Sequence, residues 1–105
     1  MGSRFGTDIL IQAPDPQAAA DFYVRQLGFT VTALEPMLEL KGPHINLYID
    51  RGPKLGPVLE VMVPDVAEAK ARLVHTGCQV LKDEPQYPRC YVQDAQGLIY
   101  NLAKG

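Results

Sequence analysis

The chain has 105 residues, 10 Lys and Arg against 12 Asp and Glu, a net charge of −2 and 47% hydrophobic residues. That is enough for one domain burying roughly 65% of its unfolded surface without a disulfide or structural metal. With no run of Lys or Arg, no nucleic-acid footprint is expected. Two cysteines, Cys78 and Cys90, are too few and too far apart for a disulfide framework or a CxxC zinc site. No apolar run approaches the roughly 18 residues of a membrane span, and nothing reads as a secretory leader, so the cytoplasm is the expected location.

Thr7–Ala13 alternates Ile9, Ile11 and Ala13 with Asp8, Leu10 and Gln12, the pattern of a strand with two distinct faces. Asp15 before Pro16 supplies an N-cap acceptor ahead of a residue pre-set for the first helical turn. A helix is predicted to about Leu27, with Ala19, Phe22, Tyr23 and Leu27 as its apolar stripe and Gly28 as its left-handed stop. Three short strands follow, Phe29–Leu34, Met37–Lys41 and His44–Asp50, broken at Glu35-Pro36 and Gly42-Pro43. Arg51–Pro57 is rich in Gly and Pro and reads as a connector. Val58–Val63 is again strand-like, and Asp65 with Glu68 makes a D-x-x-E capping pair for a helix carrying Val66, Ala69 and Leu73 and ending at Gly77. Gln79–Lys82, Arg89–Gln93 and Leu98–Ala103 complete the predicted strands, and Asp94-Ala95-Gln96-Gly97 has the residues of a type I turn.

The order repeats. Ile9, Ile11, Ala13, Pro14 and Asp15 fall on Leu59, Val61, Val63, Pro64 and Asp65, an offset of 50 residues. Two copies argue for one domain of paired modules, 7–50 and 58–104 with a linker at 51–57, rather than a solenoid.

Two strand-helix-strand-strand-strand units, an ADFY helix followed by LGF, and the terminus VQDAQGLIYNL resemble the vicinal oxygen chelate superfamily, which includes glyoxalase I, bleomycin-resistance proteins and extradiol dioxygenases. Asp94, Gly97 and Leu102 match that superfamily's terminal pattern, with Ala95 in place of its Pro. The resemblance implies an α+β fold in which two βαβββ modules form an open, cup-shaped mixed sheet with the helices outside.

Residues of equal parity share a strand face. If Ile9, Ile11, Ile45, Leu47, Leu59, Val61, Val63, Tyr100 and Leu102 pack beneath the helices, the cup is lined by Asp8, Leu10, Gln12, His44, Asn46, Tyr48, Val58, Glu60, Met62, Ile99 and Asn101. Tyr87, in the loop EPQYP, is placed to overhang the cup, and Arg89 beside it to anchor an anionic or carbonyl group. Apolar replacement of Asn101 or Glu60 is then expected to spare the fold.

Metalloenzymes of the superfamily hold a divalent ion with His, Gln or Glu from the first and last strands of both units. Carried over, the first-strand positions are Asp8 and Val58, and the last-strand positions fall near Asn46 and on Asn101. Val58 cannot ligate a metal and Asn offers only a neutral oxygen, so no metal or other cofactor is expected. A hard ion on Asp8, Asn46, Glu60 and Asn101 is the alternative. His44 reads as a loop-end residue, and His75 complements the dipole of the second helix. Neither cysteine has a visible base, the one serine is Ser3, and no phosphate-binding glycine spacing occurs.

The reading is therefore a metal-free protein binding a small, partly apolar organic molecule, with Leu10, Val58, Met62 and Ile99 supplying apolar contact and Asp8, Asn46, Glu60 and Asn101 orienting polar atoms. A homodimer is expected, since sheet edges left bare invite pairing, with no nucleic-acid or membrane partner. The alternatives are a lyase, isomerase or dioxygenase using an unusual metal or Glu60 or Asp8 as base, and an interaction module whose cup is filled by its own side chains.

Overall fold

The computed structural model describes residues 3–86 and 89–105. Its elements run β1 (Arg4–Ala13), α1 (Pro16–Leu27), β2 (Thr30–Ala33), β3 (Leu38–Lys41), β4 (Asn46–Arg51), β5 (Leu55–Val63), α2 (Val66–His75), β6 (Gln79–Glu84), β7 (Arg89–Gln93) and β8 (Ile99–Lys104). The α+β class and the twice-repeated βαβββ order are as expected. Two compact units result, residues 7–57 and residues 58–105 joined by the first residues up to Gly6. These units are module one and module two, respectively.

In module one the strands lie in the order β2-β3-β4-β1, with β1 and β4 parallel and the other pairs antiparallel. Asp15 caps α1 by accepting the Ala18 N–H at 3.1 Å, and Gly28, at φ +79°, ends it. The helix buries Pro16 and Ala20 and lays Ala19, Tyr23 and Val24 on a core of Leu38, Leu40, Leu47 and Ile49, with Ile9, Ile11 and Ala13 from β1. Phe22 and Leu27, expected in that stripe, are 58% and 61% exposed. Phe22 lies more than about 100° round the helix from the Pro16-Ala20-Val24 line and so points away from the sheet, whereas Leu27 falls close to that line but is the last residue of the helix. Ile45, also expected beneath the helix, precedes β4 and is exposed, its carbonyl accepting the Gly42 N–H at 3.0 Å in the turn.

Module two repeats this plan in the order β5-β8-β7-β6, with β5 and β8 parallel. Asp65 accepts the Glu68 N–H at 3.1 Å and caps α2, which packs Ala69, Val66 and Leu73 on Val61, Val63, Cys90, Val92 and Leu102. The predicted turn forms: Gly97, at φ +98°, donates to the Asp94 carbonyl, and Asp94 Oδ1 accepts from Gln96 and Leu98. β5 begins at Leu55, so the last three connector residues are strand, and β6 runs two residues beyond its expected end. Each module carries a register shift at its second strand, between Val31 and Ala33 and between Val80 and Lys82.

Candidate functional site

Because the helix packs on one face of each sheet, the opposite, helix-free face is the one the sequence marks for binding. Parity places the expected residues there. In module one Asp8, Leu10, Asn46 and Tyr48 are half-buried on adjacent parallel strands, with Asp8 opposite Asn46 and Leu10 opposite Tyr48. The Asn46 amide donates to Asp8 Oδ1 at 2.9 Å, so these two form a polar pair rather than separate ligands. Gln12 is buried and donates from Nε2 to the Pro53 carbonyl at 3.1 Å. Gly52 permits this, since a Cβ there would stand 2.8 Å from Gln12 Nε2.

In module two the register sets Val58 opposite Ile99, Glu60 opposite Asn101 and Met62 opposite Ala103. Val58 is 1% exposed, whereas Glu60, Met62, Ile99 and Asn101 are half-buried. Asn101 reaches to the neighbouring strand, its Oδ1 accepting the Cys90 backbone N–H at 2.8 Å. Glu60 lies over Gly6, where a Cβ would fall within 1.9 Å of Glu60 Oε1. A side chain at position 6 and the present placement of that carboxylate exclude one another.

Two further side chains belong to this face of module two. Cys90 and Val92 point to the helix core, so Tyr91 between them points away from it, opposite Asn101 and fully buried. Lys82 Nζ stands 5.6 Å from the Tyr91 ring centroid and the Arg89 guanidinium 5.9 Å, distances at which a cation is attracted by the ring quadrupole. Arg89 also faces Glu84 at 3.6 Å. Lys82 was absent from the sequence reading because the register shift at Leu81 turns it to the Tyr91 side, and parity cannot be carried across such a shift. Tyr87 lies outside the described residues.

On the other side of this sheet, Cys90 forms part of the helix core, and burial, followed by the nearby Asp83 charge, raises its thiol pKa. Tyr100 is pushed up to about 12, first by burial and then by its contact with Cys78, whose sulfur is 4.0 Å from the hydroxyl. Neither group is poised as a nucleophile near neutral pH. His44 sits in the turn before β4 and His75 in the last turn of α2, as their sequence contexts imply.

The positions that the resemblance marks for metal ligation do not suit the metal centre of the superfamily's enzymes. Asp8 is bonded to Asn46, Val58 is a buried aliphatic side chain, and the Asn101 oxygen is held by a backbone N–H. Among the described residues no three His, Cys, Asp or Glu side chains gather in one place. The register also corrects the carry-over itself: Asn46 corresponds to Ile99, and Asn101 corresponds to Tyr48, so the two last-strand positions are not equivalent.

Comparison with known proteins agrees with this architecture. Among solved structures the chain is similar to a hypothetical protein from Bacillus halodurans, with 14% identity, a TM-score of 0.68 and coverage of 100% of this chain and 96% of that one. It is similar as well to a glyoxalase/bleomycin resistance protein/dioxygenase superfamily member from Vibrio splendidus, with 15% identity, a TM-score of 0.63 and coverage of 97% and 100%. Homoprotocatechuate 2,3-dioxygenase from Brevibacterium fuscum matches with 22% identity and a TM-score of 0.64 over 98% of this chain, which spans only 37% of the dioxygenase. No curated protein matches the sequence. A sequence profile described as a glyoxalase-like domain matches residues 8–103, nearly the whole chain. By that match, and with the twice-repeated βαβββ plan in agreement, the chain belongs to the glyoxalase-like domain family.

Proposed function

We propose that this protein binds a small, partly apolar organic molecule on the helix-free side of its sheets without a metal, as in the drug-sequestering branch of the superfamily it resembles. The observation that carries this reading is the chemistry at the ligand positions. Val58 is sealed and aliphatic, and Asn101 spends its oxygen on the Cys90 N–H. Leu10, Met62 and Ile99 remain half-exposed for apolar contact, while Glu60 and Arg89 supply charge of both signs at the same face of module two. Polar groups already fixed by neighbours, beside a few exposed apolar side chains, are suited to orienting a small organic molecule.

The protein is further proposed to act as a cytoplasmic homodimer. Among the described residues Val31 on β2 and Val80 and Leu81 on β6, the outer strands of their modules, are 41%, 37% and 40% exposed. A second copy covering such edges removes both unpaired backbone and exposed apolar area.

Native mass spectrometry of protein taken directly from its source cell, with elemental analysis of the same sample, tests the proposal. The expected spectrum is a dimer carrying an organic mass and less than stoichiometric metal. About one zinc, iron, nickel or manganese per chain, kept through gel filtration, would overturn the metal-free reading, and turnover of the bound molecule would replace sequestration with catalysis.

A further inference from the structure

Each module holds a cavity at the start of its helix, and the two occupy equivalent positions. In module one it measures about 380 Å³ and is reached by Pro16, Gln17, Ile49, Asp50 and Arg51. In module two it measures about 390 Å³ and is reached by Val66, Ala67, Leu102, Ala103 and Lys104, the residues that the 50-residue offset and the parallel register align with those five. The recess itself is therefore a product of the module's geometry. Its chemistry, however, differs between the copies.

Module one borders its recess with polar groups that bond one another or nearby backbone. Arg51 donates to the Pro14 carbonyl at 2.9 Å, and Asp50 Oδ1 accepts the Arg51 N–H. In module two Gln17 has become Ala67 and Asp50 has become Ala103, while Val66, Cys90 and Leu102 form an apolar floor. At the rim Lys70 and Asp83 neutralise each other at 2.5 Å. Lys104 stands where Arg51 stood, but among the described residues it enters no ion pair or side-chain hydrogen bond. Arg89 also borders the recess but faces Glu84 at 3.6 Å, so an apolar recess with Lys104 at its edge matches a molecule with an apolar body and one negative end.

We propose that the recess between α2 and its sheet in module two binds a small amphipathic carboxylate, its hydrocarbon part over Val66, Cys90 and Leu102 and its carboxylate at Lys104. This site lies on the helix side of the sheet, opposite the face discussed above, and does not depend on the function proposed for that face. A pocket of this volume is of ordinary size for a small organic ligand. A lysine at its margin attracts the carboxylate as a flexible point charge while its carbon stem extends the apolar wall.

The test is an amide NMR titration of the full chain with octanoate, and with 1-octanol as the uncharged control, both below their aggregation limits. Octanoate is expected to shift the amides of Val66, Ala67, Cys90 and Leu102 saturably and to bind more tightly than the alcohol. Lys104→Gln should weaken octanoate about tenfold and leave octanol unchanged, as expected for loss of one charge-assisted contact. Ala67→Trp, at an exposed helix position, should fill the recess and abolish both without lowering the melting temperature. Shifts confined to Glu60, Ile99 and Asn101 would assign octanoate to the helix-free face and overturn the proposal, as would equal affinity for octanoate before and after Lys104→Gln.

Discussion

Glu60 and Gly6 show how a candidate site residue is held by what its neighbour lacks. Gly6 has no positive φ to explain it; the space it leaves is taken by the Glu60 carboxylate. Gly6→Ala should displace that flexible side chain at little cost, with a melting temperature within about 0.5 kcal/mol of the parent in stability terms. The displacement should appear in the chemical shift of Glu60 Cγ, and any ligand oriented by Glu60 should be lost as in Glu60→Met. Asn101 behaves differently. Its apolar replacement was expected to spare the fold, but Asn101→Leu removes the acceptor of the Cys90 N–H at a buried residue. Denaturant melts should show a loss of about 1 to 3 kcal/mol, the usual cost of an orphaned buried donor. Tyr100 supplies a pH signature. Its folded pKa of about 12 exceeds the ordinary 10.0, so the folded state holds the proton more tightly. The stabilisation is complete below pH 10 and is lost as pH rises through about 12, which alkaline melts of the parent and of Tyr100→Phe will separate. That Asp8, Glu60 and Asn101 share one kind of face was legible from parity alone. Their partners were not, because the Asp8–Asn46 and Asn101–Cys90 bonds depend on strand neighbours far apart in sequence.

At the scale of elements, legibility tracks how local the deciding interaction is. Both helices start where an Asp side chain can reach the third backbone N–H beyond it, and both caps form, Asp15 to Ala18 and Asp65 to Glu68. The Asp94–Gly97 turn is equally local. Strand ends were less legible: β1 extends back to Arg4 and β5 to Leu55 because a neighbouring strand, not the local pattern, decides how far pairing continues. The register shift before Lys82 leaves no mark in the alternation of Val80, Leu81 and Lys82. The packing of α2 offers a clean check of the assigned faces. Val61→Ala, in the core with Ala69 and Leu102, should cost about 1 to 3 kcal/mol in a denaturant melt. Binding at the helix-free face should remain close to that of the parent; lost binding with an unaltered melt would invert the two faces.

For the molecule as a whole, the internal repeat announced two modules of one plan, and the structure delivers two, each with its own core. It does not divide them where the chain divides. The first three residues of β1, Arg4 to Gly6, cluster with module two while the rest of the strand belongs to module one, and Gly105 lies beside them, a Cβ there standing 3.5 Å from the Arg4 guanidinium. Module two thus draws residues from both sides of module one in chain order, although its apolar core lies wholly within residues 61–102. A circular permutant opened in the Arg51–Pro57 connector, with Gly105 joined to Ser3 by a short Gly-Ser link, makes both modules contiguous for the first time. Its average sequence separation between contacting residues falls, so stopped-flow refolding should be faster than in the parent while the native contacts within each module are retained.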